Sequence, residues 1–233
     1  MNKKLSKAEI YDITEWDSVN WGKAISFIND LDLPIEGKKV LELGSNNGGM
    51  SLFFAKRGAK CTCTDLKIPG EGAEAKHKKW HVDGNISYAA LDATDYPEEY
   101  RDSFDIITFK SVLGGIGSDK NIAREKQMVR EIGKALKAGG YVVFIENLRS
   151  TKLHGILRRK FRKHGNSWHY QTDRSLSRLF KDYELVDKQF FGFLGLFGPK
   201  EVFRRILGTI DCVFDRILPK DYKYIGVYVF RKR

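Results

Sequence analysis

The 233-residue sequence has little cysteine and no long apolar run. Three cysteines are too few for a disulfide framework, so we expect core or near-core thiols and a reducing cytoplasm. We assign Cys61 and Cys63 to opposite faces of one strand and predict no metal site. The chain opens with a polar segment, and no secretory signal is therefore expected. An uncharged apolar stretch at residues 189–199 is far shorter than the roughly 20 residues that cross a bilayer.

Acidic charge is scarce in the last third of the chain. Residues 148–233 hold 20 Lys and Arg against 8 Asp and Glu, whereas residues 1–147 hold 21 against 22. This asymmetry predicts an anionic partner for the C-terminal part, either a membrane surface or nucleic acid. Its cations flank apolar stripes instead of alternating with aromatic residues, and no separate RNA-binding module is evident. The favoured partner is therefore an anionic membrane surface or a large anionic or lipid-linked acceptor, and nucleic acid is the alternative.

Strand-like and helix-like apolar patterns alternate through most of the chain. The predicted strands are residues 39–43, 59–64, 86–90, 105–109, 141–146, 184–191 and 224–231. The predicted helices are residues 49–57, a segment ending near residue 81, and residues 122–137 and 152–164. Strands separated by helices imply a mostly parallel, doubly wound α/β sheet with right-handed crossovers. The length suits one domain with additions.

We divide this domain into three parts. Residues 1–36 form a polar lead-in with one helix, which either packs over the sheet edge or closes as a lid through Tyr11, Trp16 and Trp21. Residues 37–147 form the core. Residues 148–233 carry a basic amphipathic helix, closing strands and an apolar insertion at about residues 192–220. This insertion is predicted to lie in a membrane interface, to cover a ligand pocket, or to pack as an extra core helix.

Residues 40–48 form a short strand, a glycine-bearing turn and the start of a helix, a geometry that brings the backbone close to a ligand. Asp65 ends the next strand about 20 residues beyond the turn, where a carboxylate accepts hydrogen bonds from ribose hydroxyls. The G-x-G step of dinucleotide-binding loops is interrupted by Asn46. No P-loop lysine follows the turn, which disfavours nucleotide hydrolysis.

Five segments in register resemble the class I methyltransferases that use S-adenosylmethionine. They are residues 40–48, Asp65, and residues 91–95, 104–109 and 136–140. The resemblance covers roughly residues 36–147 and implies a Rossmann-like sheet with an antiparallel C-terminal strand. It also implies S-adenosylmethionine as cofactor and S-adenosylhomocysteine as product. Asn46 at the usual middle glycine, and the lack of a histidine in residues 112–115, depart from the family pattern.

The same resemblance implies the residues of a cofactor site. The turn would cradle the methionine and ribose portion, Asp65 would hold the ribose hydroxyls, and Asp92 with the Ala93 backbone N–H would contact the adenine edge. Lys110 and Ser111 would lie beneath the sulfonium and methionine portion. The implied set is Glu42, Gly44, Ser45, Asn46, Gly48, Asp65, Leu66, Asp92, Ala93, Lys110 and Ser111.

Candidates for the acceptor side follow the fifth predicted strand. We hypothesise that His169 is a general base, with a loop histidine bonded to backbone as the alternative. The residues expected to face the acceptor or form its lid are Tyr11, Trp16, Trp21, Glu146, Trp168 and Tyr170. His77 and His81 stand four residues apart among lysines, so we place them on a solvated helix face.

These features predict a cytoplasmic class I O-methyltransferase that can associate peripherally with the cytoplasmic face of the membrane. Its C-terminal part is similar to bacterial methyltransferases that modify sugars or lipid-linked glycans, so the expected acceptor is a sugar, a lipid-linked glycan or a small-molecule hydroxyl. The alternative acceptors are a quinone or phenol, a fatty molecule, or RNA. A non-catalytic binding subunit that retains the fold is the alternative of a different class. The acceptor and the oligomeric state stay open.

Overall fold

The computed structural model describes residues 4–161 and 167–233. Its strands are β1 (Lys39–Leu43), β2 (Lys60–Asp65), β3 (Ile86–Ala90), β4 (Phe104–Lys110), β5 (Leu136–Asn147), β6 (Tyr183–Phe191) and β7 (Ile225–Lys232). Its helices are α1 (Lys7–Thr14), α2 (Asn20–Asp30), α3 (Gly49–Ala55), α4 (Glu71–Lys79), α5 (Leu113–Ile116), α6 (Ile122–Ala135), α7 (Lys152–Phe161), α8 (Asp173–Leu179) and α9 (Glu201–Ile217).

The seven strands form one sheet in the order β3-β2-β1-β4-β5-β7-β6. β7 runs antiparallel to both of its neighbours, β5 and β6, and every other pairing is parallel. The predicted doubly wound, mostly parallel sheet with an antiparallel C-terminal strand is therefore confirmed. Parallel strands need helices on both faces, which explains the apolar runs in the central strands.

One core lies on each face of the sheet. Side chains of α1, α2 and α3 bury the first face, and side chains of α6 and α8 bury the second. On the second face, Phe144 stacks against Phe109 and Phe180 at ring distances of 4.5 and 5.0 Å. The sheet is therefore rigid between two packed layers, and its loops carry the polar residues.

The N-terminal part contains two helices instead of the single helix predicted. The Ser6 side chain accepts a hydrogen bond from the Glu9 N–H and caps α1. Two left-handed residues, Glu15 and Asp17, then turn the chain into α2. Trp21 in α2 is fully buried in the first core, so α2 packs over the β7–β6 edge of the sheet, as the first predicted alternative has it, and a lid role for Trp21 is wrong. The indole fills the space between α2 and the sheet.

The C-terminal insertion is helical, as predicted, and consists mainly of α9 between β6 and β7. The predicted basic helix begins at Lys152, and its predicted residues 162–164 lie outside the described residues. The short helices α5 and α8 were not predicted. Across residues 4–161 and 167–233, no helix combines the length and apolar character that a membrane crossing requires.

The cysteines correct two predictions. Cys61 and Cys63 are both buried, and their thiols approach Ser51 and Glu42 respectively. They share one face of β2, because side chains two residues apart in a strand point the same way. The assignment to opposite faces was therefore wrong. Cys212 is exposed on α9, contrary to the core or near-core position expected.

Candidate active site

The turn after β1 lies at the carboxyl edge of the sheet, where ligands bind in open parallel sheets. Gly44, Asn46 and Gly48 have φ values of 57°, 49° and 68°. A Cβ atom at Gly44 would stand 2.7 Å from a methyl carbon of Val112, so this position admits glycine alone. Asn46 adopts the left-handed conformation that asparagine tolerates, which explains how the turn keeps its shape without the middle glycine.

Glu42 supports the turn from below. Its carboxylate accepts hydrogen bonds from the Met50 and Ser51 N–H groups at 3.0 and 2.7 Å. Burial raises the pKa of Glu42, and these N–H groups at the start of α3 oppose that rise. The carboxylate is 2 % exposed. In the predicted cofactor set, Glu42 is thus a positioning residue for the turn.

His77 also supports the turn, although the sequence interpretation placed it on a solvated helix face. It is fully buried, with Nε2 2.9 Å from the Gly48 carbonyl oxygen and Nδ1 2.6 Å from the Tyr88 hydroxyl. Burial lowers the pKa of His77. His81 is exposed as expected, but it follows the end of α4 in a left-handed turn and does not lie on a helix face. The flanking lysines suggested exposure to solvent, but the side of α4 that carries His77 faces the turn.

Asp65 ends β2 beside the turn, as predicted. One carboxylate oxygen accepts from the Asn46 N–H and the other from the Leu66 N–H, both at 2.8 Å. Each oxygen keeps a second lone pair for a ligand hydroxyl. The Leu66 side chain is 69 % exposed, which leaves an apolar surface next to the carboxylate. A ribose and an attached base fit this pair of surfaces.

Asp92 lies after β3 on the same edge. Its Oδ1 accepts from the backbone N–H and hydroxyl of Thr94 at 2.8 and 2.7 Å, and Arg124 lies 3.6 Å from Oδ2. The Thr94 N–H is the largest cause of the lowered pKa of Asp92. Ala93 beside it is buried. This carboxylate is ionised, half-exposed and able to accept from an amino group.

Lys110 ends β4, and Ser111 follows it in a left-handed conformation. The Lys110 ammonium donates to the carbonyl oxygens of Ile13 and Thr14 at 2.9 and 3.0 Å, which caps the C-terminus of α1. Burial lowers the pKa of Lys110 to about 8. The Ser111 hydroxyl accepts from the Asn147 amide at 2.6 Å. Both residues therefore lie at the predicted edge, with Lys110 attached to the N-terminal helices.

Glu15 was missed by the sequence interpretation. Its carboxylate accepts from the Asn47 amide and pairs with Lys76, both at 2.8 Å. Burial would raise the pKa of Glu15, but the bond from Lys76 and its charge lower it. Together with Lys110, this contact fixes the end of α1 to the turn. Glu15 follows no apolar periodicity, so no signal in the sequence marked it.

Glu146 does not face an acceptor, contrary to prediction. It is fully buried at the end of β5, and its Oε1 accepts from the Val112 and Leu113 N–H groups at 2.7 Å each. Burial raises the pKa of Glu146 to about 7. The side chain caps α5 as Glu42 caps α3, because backbone N–H groups at a buried helix start need an acceptor.

His169 is held by a carboxylate that the sequence interpretation missed. Its Nδ1 lies 2.6 Å from the Glu125 Oε1, and its backbone N–H donates to the Gly114 carbonyl oxygen. The Gln171 amide also donates to Glu125 at 2.6 Å. Glu125 is 3 % exposed. Its position on the apolar stripe of α6 with Met128 was the available signal, since a carboxylate there needs a buried partner.

The predicted aromatic residues occupy two separate places. Trp168 packs against Gly114 and Gly115 of α5, where any side chain at Gly114 would collide with the indole. The Tyr170 ring lies under the Arg158 guanidinium at 4.1 Å. Tyr11 and Trp16 instead lie against α9, near Arg205 and Arg204 respectively. Because Arg158 and Arg204 line one cavity, the two groups approach the same space through Tyr170 and Trp16.

The residues at this edge suit S-adenosylmethionine. Two carboxylates, Asp65 and Asp92, lie at adjacent strand ends beside the exposed Leu66, and they can accept from ribose hydroxyls and from the adenine amino group. The turn of residues 44–48 provides close backbone approach at the start of α3. These groups would hold the cofactor, whose positive sulfur activates the methyl group for transfer.

The chain is similar to known proteins in sequence. A family model described as a methyltransferase domain matches residues 16–188. Ubiquinone biosynthesis O-methyltransferases from Pseudomonas syringae pv. tomato and Idiomarina loihiensis are each 27 % identical, over 160 and 164 residues. These matches cover 65 and 70 % of this chain. The chain spans 65 and 63 % of the length of those two relatives.

Two solved structures have the same fold. Geranyl diphosphate C-methyltransferase from Streptomyces coelicolor A3(2) superposes with a TM-score of 0.65 at 11 % identity, covering 91 % of this chain and 79 % of that one. A phosphoethanolamine N-methyltransferase from Haemonchus contortus superposes with a TM-score of 0.61 at 15 % identity, covering 98 % of this chain and 61 % of that one. The chain therefore belongs to the methyltransferase domain family and has the Rossmann-like fold of the class I enzymes that use S-adenosylmethionine.

Proposed function

We propose that this chain transfers the methyl group of S-adenosylmethionine to a hydroxyl oxygen of its acceptor. The observation that supports oxygen as the methylated atom is the pair of His169 and Glu125, 2.6 Å apart. A hydroxyl must lose its proton during methylation, and histidine is the side chain that most often accepts it. The relatives named O-methyltransferases support the same atom.

In the proposed mechanism, the Glu125 carboxylate accepts a hydrogen bond from His169 Nδ1–H, which leaves Nε2 as the acceptor of a proton. When bound, S-adenosylmethionine would supply a methyl carbon activated by its positive sulfur, and the sulfur would leave as the neutral thioether of S-adenosylhomocysteine when the acceptor oxygen takes the methyl group. The hydroxyl proton passes to His169 Nε2. Glu125 is a positioning residue, since it orients the imidazole and stabilises the imidazolium that forms.

The cofactor residues serve alignment in this proposal. Asp65 holds the ribose hydroxyls, and Asp92 with Ala93 contacts the adenine edge. Glu15 and Lys110 attach the end of α1 to the turn, so the N-terminal helices cover the cofactor and exclude water from the transfer. Alignment and exclusion of water supply much of the rate in such a displacement.

A phenolic ring is the second candidate acceptor beside the predicted sugar or lipid-linked glycan. The specific support is that the relatives act in ubiquinone biosynthesis, as their names state. A cavity of about 400 Å³ between α7 and the start of α9 adds to this support. It is lined by Leu157, Arg158, Leu196, Phe197, Gly198, Pro199 and Arg204. Apolar walls with two guanidinium groups suit an amphiphile that carries a polar or anionic end.

The test uses isotopically methyl-labelled S-adenosylmethionine with two acceptor sets, catechols that bear isoprenoid tails and lipid-linked glycans. The product is measured by mass spectrometry. We expect His169→Ala to lower kcat by roughly 10² to 10⁴ without changing cofactor affinity by calorimetry. The exposed His81→Ala is the matched control. Unchanged turnover in His169→Ala at every pH would exclude the base.

Glu125→Gln separates positioning from simple folding. We expect this variant to fold, because glutamine has the same shape as glutamate. The acid limb of its kcat against pH profile should be shifted relative to the parent. A loss of activity with an unshifted profile would contradict the positioning role.

A further inference from the structure

α9 is inverted relative to an ordinary surface helix. Its three acidic residues, Glu201, Asp211 and Asp215, all point into the protein. Its apolar residues form a continuous exposed stripe, which we name the α9 stripe. The α9 stripe is Val202, Phe203, Ile206, Ile210, Val213 and Ile217, each between 44 and 68 % exposed. A helix that only covers a core shows the opposite arrangement.

The inward acids explain why the helix cannot rotate to bury this stripe. Asp211 accepts from the Leu194 and Gly195 N–H groups at 2.7 and 2.9 Å. Glu201 accepts from the Asp17 and Ser18 N–H groups at 2.7 and 3.0 Å. Rotation would leave these donors without acceptors, and each unpaired buried group would cost free energy. The stripe is therefore held outward.

α7 repeats the inverted pattern beside α9. Its His154 and Arg158 are buried, and they bond to the carbonyl oxygens of Phe193 and Leu148 at 2.9 and 2.7 Å. Its Leu153 and Ile156 are more than half exposed. Both helices pack on the same segment, residues 193–198, so two outward apolar faces flank one cavity.

The charges indicate what covers the stripe. Within α9, every residue of which the structure describes, the exposed charged side chains are Arg205 and Arg216. A second copy of this helix would bring two more exposed arginines and no exposed acidic side chain to the contact, which is unfavourable. A surface with an apolar interior and anionic groups above it matches both the stripe and its cations.

We propose that the α9 stripe docks on the surface of an anionic phospholipid bilayer, with Arg205 and Arg216 at the level of the lipid phosphates. The helix, about 25 Å long from its 17 residues, lies in the interface and does not cross it. Glu201 joins α9 to the segment after α1, whose end contacts the cofactor turn. Docking would thus place the lipid surface against a helix that is bonded to the segment next to the cofactor turn, and it stands independently of the proposed methylated atom.

Cys212 allows a direct measurement of docking. It is exposed on α9, whereas Cys61 and Cys63 are buried, and burial raises the pKa of Cys63 to about 12. An environment-sensitive fluorophore therefore attaches selectively at Cys212. We expect a blue shift with vesicles of phosphatidylcholine and phosphatidylglycerol, weaker at high salt, and little shift with phosphatidylcholine alone. Lipids brominated near the headgroup should quench the dye.

Flotation with the same vesicles tests the stripe. Ile206→Asn with Val213→Asn should lower the partition coefficient about 30-fold while thermal unfolding is unchanged, because both side chains are exposed. The matched control is Ile122→Asn, at an exposed isoleucine of α6. Replacement of Arg205 and Arg216 by glutamine should remove the preference for anionic vesicles, and the same change at Arg174 and Arg178 of α8 should not.

Three results would overturn the proposal. One is equal flotation of the stripe variant and the parent. Another is a dimer in sedimentation that the stripe variant abolishes, with no vesicle binding by the parent. The third is salt-sensitive binding of the parent to RNA in place of vesicles.

Discussion

Two amphipathic helices of this molecule bury opposite faces. α6 buries Met128 and Ile132 and leaves its cations exposed, whereas α9 buries Asp211 and exposes Ile206. The difference arises from what lies beneath each helix. α6 covers apolar strand residues, while α9 covers the backbone N–H groups of residues 192–195, which need acceptors. An apolar stripe therefore identifies a helix but not the face that it buries.

The sharpest test compares how much a buried and an exposed residue of α9, and a buried residue of α6, contribute to stability. We expect Asp211→Ala to lower the free energy of unfolding by about 3 kcal/mol, because it leaves the Leu194 and Gly195 N–H groups unpaired. Met128→Ala in α6 should cost a similar amount through its cavity. Ile206→Ala should change stability by less than about 0.5 kcal/mol. Urea unfolding of the three variants measures these values, and a costly Ile206→Ala would contradict the inverted helix.

Glu146 is a buried carboxylate, and its titration should make the stability of the protein depend on pH. Its pKa is about 7 in the folded protein against 4.5 ordinarily, so between these values the folded state binds more protons than the unfolded state. Parent stability therefore falls as pH rises through this window. Glu146→Gln does not titrate, and its stability relative to the parent should rise by on the order of 2 kcal/mol from pH 5 to pH 8. A constant difference would show that Glu146 is ionised throughout.

Asp65 represents the opposite case, a carboxylate kept partly exposed for a ligand. We expect Asp65→Ala to weaken S-adenosylmethionine binding by roughly 10- to 30-fold through the loss of its bonds to the ribose hydroxyls. Calorimetry measures the affinity, and the exposed Asp32→Ala is the control. If the two variants bound the cofactor equally, the assignment of Asp65 would be wrong.

Much of the fold follows from local patterns. The bounds predicted for β1 and β3 are those observed, because short apolar runs between turn residues leave little freedom. The carboxyl ends of β2 and β4 then place Asp65 and Lys110 on one edge without further information. The predicted cofactor side depends on chain order alone, and for that reason the sequence was informative there.

The acceptor side could not be predicted in the same way. Glu125 and His169 are 44 residues apart and meet only because α6 packs next to the segment after β5. Glu146 was expected in the pocket, yet it is buried beneath α5, since strand position does not tell which loop a side chain supports. Trp21 was a lid candidate on a helix that could also pack over the sheet, and only the packing of α2 decided between these two alternatives.

By itself, the sequence determined the α/β alternation, the glycine turn, the placement of Asp65 and Asp92, and the basic excess of the last third. These properties reside in residue order and composition, which local physics translates directly. Only the tertiary structure decided which polar groups pair in the interior, and therefore which face of α9 is turned outward. Burial of a donor requires an acceptor from a distant part of the chain, and that partner is chosen by packing.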